Sequence, residues 1–142
     1  MKITVTTNVA APLDAVWHAY TSPADIQQWN AASSDWHTTA ATVDLREGGA
    51  FSSRMEAKDG SMGFDFAGTY TRVVPLERIE YAFGDRAAQV TFTDTTDGVD
   101  VTVTFDAEQE HPEQLQRDGW QAILDNFKRH VESPDAGAAQ QD

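Results

Sequence analysis

Apolar and polar residues alternate along most of this chain, and the period of the alternation marks its elements. Ile3, Val5, Thr7 and Val9 interleave with Lys2, Thr4, Thr6 and Asn8, which is the two-residue repeat of a strand. Leu13, Val16, Trp17 and Tyr20 then recur at helical spacing. Pro12 precedes them at a first-turn position, where its missing N–H costs little. Ser22-Pro23-Ala24-Asp25 predicts a second helix start, with Ser22 as cap, Pro23 at the first helical position and Asp25 answering the cap from three residues on. Ile26 and Trp29 supply its apolar side. Residues 30–37, rich in Ala, Ser and Asp, read as a loop.

From Thr38 to Phe105 the period returns to two. Arg46-Glu47-Gly48-Gly49, Asp59-Gly60, Gly84-Asp85 and Asp97-Gly98 punctuate this stretch as bends or hairpin turns, and Pro75 breaks one run. Such turns are too short for crossovers, so sequence neighbours pair antiparallel. One face of the meander then carries Phe51, Met55, Phe64, Phe66, Tyr70, Tyr81, Phe83, Phe92 and Phe105, and the other carries Thr, Asp, Glu and Arg, which suit water. Pro112 to Val131 reads as one long amphipathic helix, with Leu115, Trp120, Ile123, Leu124, Phe127 and Val131 on one stripe. Glu113 with Arg117 and Asp125 with Arg129 are expected ion pairs on its wet side. Gly119 inside it fits either a close approach to the sheet or a ligand, or a neutral choice. The pattern therefore predicts an α+β fold, in which a curved antiparallel sheet of six or seven strands wraps a C-terminal helix and two short helices follow the first strand. Residues 1–132 are expected to form one domain, and residues 133–142, lacking an apolar anchor, are expected to form a disordered tail.

Composition narrows the functions open to such a fold. The 142 residues suit one domain, able to bury roughly 70% of its unfolded surface. The absence of Cys removes disulfides and thiol chemistry. A formal charge of −13, with 10 scattered Lys and Arg, argues against nucleic acid and against anionic membranes. The N-terminus lacks the plan of a signal peptide, so a cytoplasmic location is expected.

Local strings add a family resemblance. Pro12-Leu13-Asp14-Ala15-Val16-Trp17, continued by Tyr20, Thr21, Pro23, Ile26 and Trp29, resembles the opening of the START-like, or helix-grip, superfamily. Asp44-Leu45-Arg46-Glu47-Gly48-Gly49-Ala50-Phe51, Gly68-Thr69-Tyr70 with Val74-Pro75 and Arg78-Ile79, and the segment from Gly119 to Phe127 resemble its later motifs. The chain is most similar to the bacterial branch related to the activator of heat-shock protein 90 ATPase. The resemblance implies a sheet gripping the last helix around a cavity for lipids, polyketides or other apolar molecules. It also implies, as alternatives, a cyclase/dehydratase-type enzyme or a chaperone-associated interaction protein.

The residues themselves weigh these readings. His18, His37, His111 and His130 show no paired metal-ligand spacing, no GxSxG elbow is present, and no cofactor is expected. For acid–base chemistry the candidates are Glu56, Asp65, His18, His37, Tyr70 and Tyr81, of which strand parity turns Glu56 and Asp65 away from the aromatic face. The expected binding residues are Trp36, His37, Phe51, Met55, Phe64, Phe66, Tyr70, Tyr81, Trp120 and Leu124, with Trp36 and Phe51 near the cavity mouth and Tyr70, Tyr81 and His37 selecting polar atoms. Arg46 is expected to pair with an acid and fix the glycine bend. The expected partner is a small hydrophobic molecule. A homodimer through an edge strand or helix, and a chaperone met by the acidic outer sheet, stand beside it.

Overall fold

The computed structural model describes residues 1–133. The order is β1 (Lys2–Val9), α1 (Leu13–Thr21), α2 (Pro23–Trp29), β2 (Trp36–Val43), β3 (Ala50–Ala57), β4 (Gly63–Val74), β5 (Arg78–Phe83), β6 (Arg86–Thr95), β7 (Gly98–Asp106) and α3 (Glu113–Glu132). The expected tail lies outside the described residues apart from Ser133. The seven strands form one curved antiparallel sheet in the order β1-β7-β6-β5-β4-β3-β2. β2 to β7 make the meander that the turns predict. β1 adds itself to β7, with Ile3 opposite Phe105 and Val5 opposite Val103, so the first and last strands meet.

The concave face is two different surfaces. At the β1–β7–β6 end it is packed solid. Ile3, Val9, Val90, Val99, Val101 and Phe105 are sealed from solvent there, together with Val16 of α1 and Phe127 of α3. Trp120 stacks on Phe105 at 4.0 Å and 10°, Trp17 meets Phe92 edge-on at 5.2 Å, and Tyr20 and Trp29 both meet Phe127 at about 5 Å. Dispersion and area burial make this the stabilising half. At the β3–β4–β5 end the helices do not cover the sheet fully, and space remains.

Several local expectations are corrected. β2 begins at Trp36, so Trp36 and His37 are strand residues rather than loop. Ser22 is the N-cap of α2 but makes no side-chain cap bond; Asp25 is buried instead and accepts a hydrogen bond from His130 Nε2 at 2.8 Å. Leu115 is exposed, and the buried residue at that end of α3 is Gln116. Its Oε1 accepts from the Glu108 N–H at 2.8 Å, and its Nε2 donates to the carbonyls of Glu108 and His111. A polar side chain is buried there because the turn between β7 and α3 leaves backbone groups needing partners. Glu113 does pair with Arg117 at 3.0 Å. Asp125, however, accepts from Gln121 and Arg129 turns to Asn126. A Cβ on Gly119 would meet nothing within 4 Å, so no close approach requires this glycine.

Candidate ligand-binding site

The space under the open end of the sheet is a cavity of about 400 Å3. Protein pockets for small molecules run roughly 300–1,000 Å3, so the volume suits a compact ligand. Strands supply one wall through Phe51, Ser53 and Met55 of β3, Phe64, Phe66 and Tyr70 of β4, and Ile79 and Tyr81 of β5. Helices supply the other through Tyr20, Ile26 and Trp29 of α1 and α2, and Trp120, Ile123 and Leu124 of α3. Asn30, Arg86, Val103 and Glu108 complete it. Phe64, half exposed, with the partly exposed Asn30, Arg86 and Glu108, marks where the cavity reaches solvent.

Two glycines explain how the β3–β4 wall is shaped. Phe51 lies opposite Gly68 in the ladder. A Cβ at Gly68 would sit 2.2 Å from the Ala82 carbonyl oxygen and 2.8 Å from the Phe51 ring, so only glycine lets that ring lie across the strand. Phe51 is thereby held 5.1 Å from both Tyr70 and Tyr81. At Gly49 a Cβ would fall 2.0 Å from the Asp44 carbonyl oxygen. The bend that this permits brings the Gly48 N–H to the Tyr70 carbonyl at 2.8 Å and the Gly49 carbonyl to the Tyr70 N–H at 2.9 Å. The Gly48-Gly49 bend thus fixes the backbone of a cavity tyrosine. Arg46 pairs with Asp44 at 3.0 Å beside this bend, as its sequence position predicts.

The polar groups in this wall are phenols. Among the described residues, no hydrogen bond to protein engages the hydroxyls of Tyr20, Tyr70, Tyr81 or Ser53, and none of these oxygens is sealed from the cavity space. Desolvation pushes the Tyr70 phenol up to about 12. Desolvation also raises Tyr81 far above its ordinary value, with the Tyr20 and Tyr70 phenols adding to the rise and the Arg86 charge opposing it. Tyr20 is raised by the same withdrawal from water and by Tyr70. All three are neutral hydrogen-bond donors at physiological pH.

Of the ten residues predicted from the sequence, Phe51, Met55, Phe64, Phe66, Tyr70, Tyr81, Trp120 and Leu124 line this one space. Trp36 and His37 do not. They line a separate open groove with Asp25, His18, His130 and Arg129, although the Trp36 ring still lies 5.8 Å from Phe64. That groove is larger, at about 1120 Å3, but it runs along α2 and the end of α3 with a mostly polar and charged lining. Glu56 and Asp65 both pair with Arg54 on the outer face. Sequence reasoning missed Tyr20, Ser53, Ile79 and Arg86. Each carried a signal: Tyr20 ends the apolar stripe of α1, Ser53 shares strand parity with Phe51 and Met55, and Ile79 shares it with Tyr81. Arg86 shares the parity of Ala88, Val90 and Phe92, all buried on the concave side. Among the described residues, no group of three or more His, Cys, Asp or Glu is arranged to hold a metal ion.

A curved antiparallel sheet closing on its last helix around an aromatic-lined hollow defines a helix-grip domain of the START-like class. Residues 10–132 match the family described as "Activator of Hsp90 ATPase homolog 1-like protein", and the chain belongs to that family. It is 50% identical to an AHSA1-like protein from Aeromonas hydrophila solved in solution, with a TM-score of 0.90 over 96% of this chain and 94% of that one. A protein from Cytophaga hutchinsonii is 45% identical, with a TM-score of 0.81 over 95% and 94% of the two chains. One from Chromobacterium violaceum is 26% identical, with a TM-score of 0.83 over 93% and 98%. No curated protein matches the chain. Among the described residues, no helix is long and apolar enough to cross a membrane.

Proposed function

We propose that this protein binds a small, largely apolar molecule in the cavity between β3–β5 and α3. The observation that carries the proposal is an aromatic hollow of about 400 Å3 in which three phenols and a serine hydroxyl have no protein partner among the described residues. These hydroxyls open onto the cavity space without being engaged by the protein among the described residues, so a ligand's polar atom can pair with them in place of water. Apolar area removed from water favours binding by about 25 cal/mol per Å2, before the entropy of association is counted.

A cyclase/dehydratase-type reaction needs an acid or base facing the substrate. Among the described residues, the one Asp, Glu or His in the cavity wall is Glu108, whose carboxylate is taken by His111, and the candidate phenols of Tyr70 and Tyr81 are raised by burial, so they stay protonated and are poor bases. Asp25, the buried carboxylate, belongs to the other groove and is held by His130. Binding is therefore the reading that the side chains support. Titration with phenylnaphthylamine, an uncharged fluorescent probe, tests it. Saturable probe fluorescence with quenching of tryptophan emission is expected, because Trp29 and Trp120 line the cavity. No saturable change in either signal would overturn it.

A further inference from the structure

Among the described residues, Arg86 is the one cation in the cavity wall. It starts β6 immediately after the turn from Phe83, and its Cζ lies 4.7 Å from the centroid of the Phe83 ring. Its Nε donates to the Asp106 carbonyl at 3.0 Å, which fixes the plane of the guanidinium. Among the described residues, no carboxylate lies within ion-pair distance of it. The neighbouring acids are occupied elsewhere: Asp106 binds Lys2 Nζ and the Ala87 N–H, and Glu108 binds His111. This is unusual for the molecule. Five of the other six arginines, Arg46, Arg54, Arg72, Arg78 and Arg117, each hold an Asp or Glu, and Arg129 holds the Asn126 amide instead. The chain has 23 acids to 10 basic residues, so an arginine set against an aromatic cavity without an acid is not short of carboxylates to recruit.

Building on the binding reading above, we propose that the ligand carries an anionic group, a carboxylate or its like, which the free edge of the Arg86 guanidinium receives while the apolar body lies among the rings. A guanidinium is a planar fork of N–H donors matched to a carboxylate, and such charge-assisted pairs are the stronger hydrogen bonds. One N–H of Arg86 is used by Asp106, and the outer nitrogens are without a protein partner among the described residues. The Phe83 face beneath keeps the guanidinium in place and in partial shelter from water. The neutral phenols of Tyr70 and Tyr81 can donate to a second polar atom further in. The ligand class is thus an amphipathic acid with a ring system or short chain, rather than a neutral hydrocarbon-like molecule.

The field of the whole molecule makes this a demanding test. A net charge of −13 repels an anion at long range, so any preference for one must come from a local cation. Anilinonaphthalenesulfonate and phenylnaphthylamine share a body and differ by the sulfonate, and they are titrated in parallel into the wild type, Arg86→Gln and Arg86→Lys. The wild type is expected to bind the sulfonate at least about tenfold more tightly than the neutral probe, as expected of a charge-assisted pair. That ratio falls toward one in Arg86→Gln and is partly kept in Arg86→Lys. If the neutral probe saturates the cavity but the sulfonate is no tighter, or if Arg86→Gln leaves the ratio unchanged, the anion proposal is overturned and the cavity reading stands. If neither probe binds, both are overturned. Should Arg86→Gln fail to fold, Arg86→Met, which keeps the apolar stem and removes the charge, takes its place, and the same two outcomes for the ratio support or overturn the proposal.

Discussion

All three tyrosines of the chain sit in the wall of one cavity. Phenolate absorbance therefore reports on that site alone. Burial holds the Tyr70 phenol up to about 12 and raises Tyr20 and Tyr81 as well. An acid whose pKa is raised in the folded state contributes stability that is complete below its unfolded value of about 10, and loses it as pH rises through the folded value. The native protein is expected to show little phenolate signal at pH 10, and then a steep rise near pH 12 accompanied by loss of near-ultraviolet circular dichroism. In denaturant the same three groups should titrate near 10. A native titration near 10 would mean that the phenols are in contact with bulk water. At this scale the sequence was legible where strand parity decides the face, as at Phe51, Phe66, Tyr70 and Tyr81. Arg86 was legible by the same parity, but a charged residue after a turn reads as a wet one. His37 misled because residues 30–37 read as a loop at the cavity mouth; it lies instead at the exposed start of β2, next to the groove.

At the level of elements, α3 sets both the packed half and the open half of the concave face. Its stripe was legible from Trp120 onward, where 3.6-residue spacing and burial agree. It failed at the first turn, where Leu115 points out and Gln116 in. The hydrogen-bonding needs of a turn are a tertiary matter, and hydrophobic periodicity does not encode them. β1 was legible as a strand, but not its partner: pairing with β7 closes a loop of about a hundred residues, and no local signal records it. The helix also carries a testable weakness. Gly119 has negative φ, lies mid-helix, and has open space where a Cβ would go. Gly119→Ala is expected to stabilise the protein by about 0.5–1 kcal/mol, since alanine gains helix propensity without a clash. A midpoint shift in urea unfolding at unchanged slope checks it. Unchanged or reduced stability would mean that this glycine has a tertiary role not visible in its surroundings. Gly68→Ala is the contrasting case. Its Cβ would meet the Ala82 carbonyl and the Phe51 ring, so the same substitution destabilises there.

The molecule as a whole carries far more negative than positive charge, and its response to pH and salt follows from two opposed effects. Self-repulsion of a −13 surface destabilises the compact state at neutral pH. Particular carboxylates work the other way. Asp106 is held below its ordinary value first by its hydrogen bond from Lys2 and then by the Ala87 N–H. Glu132 is held low first by Lys128 and then by the Ala10 N–H, which ties the end of α3 to the exit of β1. A carboxyl with a depressed folded pKa contributes stability that is complete above its unfolded value, about 3.9 for Asp and 4.3 for Glu, and that disappears as pH falls through the folded value. Between pH 7 and about 5 these two groups stay charged in both states, so lowering the pH in that window chiefly reduces the repulsion. The melting temperature is therefore expected to rise as pH falls from 7 toward 5, and to fall below about 4 as Asp106 and Glu132 lose their partners. Added NaCl should raise the melting temperature at pH 7, because screening relieves an excess of like charges more than it weakens exposed pairs. The same salt should raise it much less at pH 5, where part of the excess has been neutralised. Thermal melts across this grid of pH and salt check the account. A melting temperature that falls with salt at neutral pH would mean that the ion pairs, not the repulsion, dominate the surface.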